Sequence, residues 1–181
     1  MNCLTNKAGI AALLAVLAAP PAGAAGAFTD ASGTFSVTGA VIRAGAWSVP
    51  RLCHDLAGDV RTVRYTLKGS HHVAHCVPLL AVLLAAGPRI NPQIKHHILQ
   101  FVVIARGKDG YAVAFSLAEM QSMFGHEAVW VAWDRDGEPL SADEGPVELL
   151  VPGDVKAARW VHGLAALTVV DEARAASPNP P

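Results

Sequence analysis

The sequence predicts one α+β domain, mainly β, with short helices between its strands. Three observations lead there. Apolar and polar residues alternate with period two in several short runs, an Asp-Gly pair separates two β-prone segments, and the helical patterns are brief and bounded by proline or glycine. Thr34 to Ile42 (TFSVTGAVI) reads as a first strand. Ser48 is placed to cap a short helix through Pro50, Leu52 and Leu56, since a hydroxyl accepts from an early helical N–H and proline is tolerated in the first turn. Val60 to Leu67 (VRTVRYTL) alternates as a half-buried strand does.

Val77 to Ala86 begins with a proline and stops at Gly87, the marks of a short buried helix. Pro88 to Pro92 is a turn-rich loop. Ile98 to Ala105 and Tyr111 to Phe115 flank Gly107-Lys108-Asp109-Gly110 and predict a hairpin. Ser116 and Glu119 have capping-box spacing, which predicts one helical turn. Ala128 to Trp133 is an apolar strand turned at Asp136-Gly137, and Val147 to Val151 and Leu164 to Val170 complete the set.

Residues 1–27 have the order of a signal peptide: Lys7, an apolar run from Ala8 to Ala19, a Pro20-Pro21 break, then Ala25-Gly26-Ala27 as a small-x-small cleavage site. The apolar run is too short for a mature spanning helix. The expected division is therefore 1–27 signal, 28–172 a single domain and 173–181 a tail, with the periplasm as the destination. The alanine-rich leader inflates the 52% hydrophobic content, so that figure is no sign of a membrane protein. With 14 basic and 15 acidic residues and no basic stripe, nucleic-acid binding has no electrostatic support.

The C-terminal half carries a series of short motifs. Asp109-Gly110-Tyr111, Phe115 to Glu119, Val129 to Trp133, Asp136 to Leu140, Gly145-Pro146, Val151-Pro152-Gly153 and Ala158-Arg159-Trp160-Val161 follow one another, after Val77-Pro78-Leu79-Leu80 and Leu83 to Gly87. In that order they resemble the oxidoreductase molybdopterin-binding domain, the sulfite-oxidase-type fold, in a short, single-domain, exported form. The likeness covers about Phe35 to Val170. It implies a mixed, largely β fold that holds a pterin in a cleft made by loops.

Catalytic members of that family hold molybdenum through a cysteine thiolate after the second strand. Here that stretch reads Leu67-Lys68-Gly69-Ser70-His71-His72, without cysteine. Glu148 stands where a basic residue is common and His162 where lysine is common. Soft thiolate ligation is what a molybdenum–dithiolene centre asks of the protein, so molybdenum is not expected. Short exported relatives on the same fold bind a free pterin and signal through a membrane-bound cyclic-di-GMP enzyme. By that likeness the expected ligand is a pterin or similar heterocycle, noncovalently held, and the expected partner is an inner-membrane signalling protein. Asp109 and Glu119 are candidates for the carboxylate that meets the pterin's donor edge, and Trp160 or Tyr111 for stacking. Arg159 and His162 are candidates for its oxygens, and His71 and His72 occupy the stretch where the cysteine is otherwise found.

Two other readings stay open. His71-His72-x-x-His75-Cys76 gathers four ligand-type side chains in six residues, with His96-His97 further on, which allows a zinc or copper site using His71, His75 and Cys76. Cys53 and Cys76 remain after export into an oxidising compartment. Either they form a disulfide, or Cys76 stays free as the one route to a small molybdopterin-dependent oxidoreductase.

Overall fold

Most of the strand-patterned runs do form strands, and they assemble into two sheets. The computed structural model describes residues 33–175, so the signal segment at 1–27 lies outside the described residues, as do 28–32 and 176–181. In chain order the strands are β1 (Thr34–Gly39), β2 (Gly45–Ser48), β3 (Arg61–Leu67), β4 (Ser70–Pro78), β5 (Phe101–Gly107), β6 (Ala112–Ser116), β7 (Trp130–Ala132), β8 (Asp134–Arg135), β9 (Glu138–Pro139), β10 (Glu148–Leu150) and β11 (Leu164–Asp171). The α-helices are α1 (Val49–Asp55), α2 (Leu79–Ala86) and α3 (Glu172–Ala175). None is long and apolar enough to cross a membrane.

One sheet has the order β2-β1-β11-β5-β6, the other β10-β7-β4-β3, and β8-β9 is a separate hairpin. β1 and β11 run parallel, while their other neighbours in this sheet pair antiparallel. The first and last strands are thus neighbours, and the sheet is mixed as expected. Phe35, Trp47, Phe101 and Leu167 from the large sheet join Val77, Val131 and Leu149 from the small one, with Leu79 and Leu83 of α2, in one hydrophobic cluster.

The local signals acted as their chemistry predicts. Ser48 Oγ accepts from the Arg51 N–H at 3.3 Å, and Gly87 ends α2 in the left-handed conformation. The Asp-Gly turns at 109–110 and 136–137 both reverse the chain between paired strands. β2 escaped the sequence reading because four residues are too few to show a period. β4 escaped because most of its outward positions are polar and only Ala74, Cys76 and Val77 are buried. The predicted helical turn at Ser116–Glu119 is not helical: Ser116 closes β6, and the Leu117 N–H donates to Phe101 O at 3.0 Å. Burial of Leu117, Ala118 and Met120 favours this turn over a helix end facing solvent. α3 runs to Ala175, so it takes in the first residues of the expected 173–181 tail, and the rest of that tail lies outside the described residues.

His97 shows how a histidine is used for architecture. Its Nδ1 accepts from the Asn91 N–H at 2.9 Å, so Nε2 carries the proton and donates to Asp171 Oδ1 at 3.2 Å. Both side chains are buried, and the pair fastens the loop before β5 to the end of β11.

Gly39, at φ 89°, lies where β1 meets β11, and a Cβ there would sit 2.1 Å from Val169 O. Gly39→Ala is expected to be destabilising well beyond the roughly 1–3 kcal/mol of left-handed strain, because a backbone atom cannot move aside cheaply. Gly69→Ala, at φ 85° with nothing within 4 Å, should cost only the strain. Urea denaturation of the two variants checks the difference.

Candidate ligand-binding site

The segment 158–163 is the spine of the site. Val161 exchanges backbone hydrogen bonds with Leu149 (2.9 and 3.2 Å), which turns neighbouring side chains in opposite directions. Trp160 points inward and is 5% exposed, with its Nε1–H donating to Val151 O at 3.0 Å. It meets the Tyr65 ring edge-on at 5.3 Å, so it is a core aromatic and not the stacking platform the sequence allowed. His162 points outward; its side chain is 46% exposed and its Nδ1 donates to Glu148 Oε2 at 2.7 Å.

Glu148 is the departure from the family pattern noted in the sequence, and it is completely buried. Arg135 of β8 reaches it through Nη2 at 3.2 Å, donates from Nη1 to Glu144 Oε1 at 2.9 Å and from Nε to Tyr65 Oη at 3.0 Å. Ser141 Oγ donates to the other oxygen of Glu144 at 3.0 Å. Glu144, Glu148 and His162 are the one metal-type cluster among the described residues. Each carboxylate oxygen there already has a proton donor, so the cluster is a closed network and not an open cation site. The sequence reading missed Arg135, Glu144 and Tyr65 because they lie far apart in the chain; only the odd Glu148 was a signal.

Against 158–163 packs the β5–β6 hairpin. The Lys108 N–H donates to Gly163 O at 2.9 Å, and Tyr111 Oη donates to Ala158 O. Gly107 makes the fit possible: a Cβ there would lie 2.7 Å from Asp109 Oδ1 and 2.8 Å from His162 O. Asp109, Tyr111, Arg159, Trp160 and His162 are therefore brought together. Asp109 Oδ1 accepts from the Tyr111 N–H at 2.9 Å and so holds the turn. Arg159 is less free than expected, because it pairs with Asp154 and Glu127 and lies 5.9 Å from the Phe115 ring centre. Glu119 is exposed on a turn outside this group, and the structure gives it no part in a cap.

The histidine run is split by strand geometry. His71 and His75 share a face of β4 but are four residues apart, about 13 Å at strand rise, and Cys76 faces the other way. His71, His75 and Cys76 therefore do not converge on a metal. His72 and His75 each direct Nδ1 at a carboxylate, Asp136 Oδ2 at 2.7 Å and Asp134 Oδ2 at 2.6 Å. The other oxygens of those aspartates accept the Val73 and His75 backbone N–H groups at 2.9 and 2.7 Å. Two side chains thus continue the β4 ladder where backbone partners run out. His72 stacks obliquely on Tyr65, with ring centres 5.6 Å apart, and so joins the rear of the site.

Cys53 and Cys76 are both free thiols, so the disulfide does not form. Cys53 is exposed on α1, whose buried residue is Leu52, whereas Cys76 points into the core with Sγ 3.5 Å from Arg61 O. Burial, and next the nearby Asp134, push the Cys76 thiol up to about 12. A thiol held protonated and inward does not fit the anionic sulfur a molybdenum centre needs. The Leu67↔Ser70 pair that ends the β3–β4 hairpin is closed by a two-residue turn, Lys68-Gly69.

Two stability predictions follow from the charges. Arg135→Met leaves the buried Glu148 with only His162 as a side-chain partner among the described residues and is expected to cost about 3 kcal/mol. Arg159→Met removes two ion pairs that share an arginine 37% exposed and should cost about 1 kcal/mol; parallel urea titrations test both. The Glu148 hydrogen bond, opposed by burial, holds the His162 pKa above 6.5. A pKa raised by folding stabilises fully below the unfolded value and fades as pH rises through the folded one. The stability gap between the protein and His162→Gln should therefore be widest below pH 6.5 and narrow toward alkaline pH. A gap that widens with rising pH in the same titrations contradicts the assignment.

Comparison with curated proteins returns no match. The fold is similar to that in the crystal structure of the sulfane dehydrogenase SoxCD from Paracoccus pantotrophus, with TM-score 0.54 and 20% identity. The likeness covers 76% of this chain and 38% of that one, and at this identity it concerns the fold alone. Residues 34–177 match the oxidoreductase molybdopterin binding domain. With the mixed sheet, the β5–β6 hairpin and the Arg159-Trp160 segment all in place, the chain belongs to the oxidoreductase molybdopterin binding domain family.

Proposed function

We propose that this chain is a non-catalytic, exported member of its family that binds a free pterin, or a heterocycle with the same donor edge. The reading is supported by the stretch from Leu67 to His72, which holds no cysteine where the resemblance expects the metal-bearing thiolate and turns tightly at Lys68-Gly69, and by a core thiol that is protonated and turned inward. Without soft ligation the oxygen-transfer chemistry of catalytic relatives has no anchor on this chain.

The ligand surface is the one where the β5–β6 hairpin meets 158–163. Asp109 uses Oδ1 on its own turn and keeps Oδ2 for a donor edge such as a pterin's N3–H and 2-amino group. Tyr111, half exposed and tethered through its hydroxyl, offers a fixed aromatic face. His162, whose pKa the Glu148 hydrogen bond raises, is the candidate donor for the ligand's carbonyl. Export by residues 1–27 would put this surface in the periplasm, where an inner-membrane signalling protein is the partner that reads its occupancy.

Protein purified from its native compartment should contain pterin fluorescence and no stoichiometric molybdenum by mass spectrometry. Asp109→Asn preserves the turn acceptor but removes the charge, and should weaken biopterin binding about tenfold, the loss of one charge-assisted bond. Stoichiometric molybdenum would overturn the non-catalytic reading, and unchanged affinity in Asp109→Asn would overturn the placement of the ligand.

A further inference from the structure

A cleft of about 270 Å³ opens at the β3–β4 hairpin, lined by Arg64, Tyr65, Thr66, His71, His72 and Val73. The strand register pairs Arg64 with Val73 and Thr66 with His71, so these four side chains share one face of the sheet. That face is the reverse of the one on which Tyr65 meets Trp160. Tyr65 and His72 line the cleft from that other face, so it adjoins the rear of the proposed pterin site, but Arg64, Thr66 and His71 belong neither to the β5–β6 hairpin nor to 158–163, and the cleft's chemistry does not depend on that reading.

Its chemistry is that of an anion receptor. No carboxylate belongs to its lining. Arg51, Arg61, Arg89 and Arg135 each meet a carboxylate or carbonyl, but no hydrogen bond or ion pair among the described residues engages the exposed Arg64 guanidinium. His71 Nδ1 lies 3.2 Å from Thr66 Oγ1. The contact holds the ring in one orientation with either partner donating, and when the hydroxyl donates the imidazole proton lies on Nε2.

The backbone adds to this. Leu67 and Ser70 flank the two-residue turn as a bonded pair, so the alternate residues Arg64 and Thr66 turn their N–H groups toward the open edge of the sheet. The same alternation on β4 sends the Val73 and His75 N–H groups outward to Asp136 and Asp134. The cleft thus combines a planar fork that no described residue engages with an imidazole held beside a hydroxyl, and the one carboxylate that reaches its lining, Asp136, is taken up by His72 Nδ1 and the Val73 N–H.

We propose that this cleft binds a phosphate group, with Arg64 supplying the charged fork and His71 a second donor that Thr66 positions. A guanidinium matches two oxygens of a phosphate at once, which a lone ammonium does not.

The test is titration of the mature protein with inorganic phosphate, followed by amide and side-chain NMR, with sodium chloride at matched ionic strength as control. Saturable shifts are expected at Arg64, Thr66 and His71. Arg64→Gln should weaken binding about tenfold, and Thr66→Val, which leaves the charge in place but frees the imidazole, about threefold. Lys68→Gln, on the turn and outside the lining, should change it less than about twofold. A parallel titration with glycerol phosphate separates the sources: tighter binding marks a phosphate ester as ligand, weaker binding the free ion. Equal shifts in chloride, or equal losses in Lys68→Gln and Arg64→Gln, would mean a diffuse basic surface and overturn the proposal.

Discussion

Glu148 sits on a three-residue strand whose every position is buried. An ionised carboxylate there is tolerable only if cations reach it, because desolvation of an unpaired charge exceeds any packing gain. Arg135 comes from β8 and His162 from the segment after Trp160, so one buried anion draws together two stretches of chain that backbone pairing alone does not join. Arg135 then has further hydrogen bonds to place, and its Nε fixes the hydroxyl of Tyr65 on β3. Tyr65 in turn is the ring against which Trp160 and His72 pack. The orientation of His162 at the surface is the last link in a chain that begins with that carboxylate.

The fold was legible wherever a side-chain period or a turn signal was strong. Val63, Tyr65 and Leu67 alternate inward on β3 as their spacing requires, and Gly87 and the Asp-Gly turns did what their backbone freedom dictates. β4 was illegible as a strand because its aspartate partners come from 59 and 63 residues away. Of the site, Arg159, Trp160 and His162 could be read from one segment, but their roles could not. Trp160 serves the core, and Arg159 is shared between two acids. Asp109 has both a turn duty and an unused oxygen, a combination that no local pattern distinguishes from a simple turn residue. The cysteine pair failed for a related reason: sequence supplies two thiols and an oxidising destination, but only the direction of each Cα–Cβ bond decides whether they meet.

The tip of the β3–β4 hairpin is fixed by its backbone and not by any one side chain. Its turn contains two residues, both at positive φ, 51° for Lys68 and 85° for Gly69. That geometry matches the twist of a tight hairpin and strongly prefers glycine at its second position. A cysteine placed at Gly69 would carry left-handed strain and project from the tip of the hairpin, away from Tyr65 and Trp160. A one-residue slip of β4 at constant turn length would exchange its two faces. His72, Ala74 and Cys76 would then trade places with His71, Val73 and His75, taking Cys76 out of the core and breaking both aspartate bonds to the strand. The register that the two-residue turn sets is thus the same one that buries Cys76 and brings both aspartates to the strand.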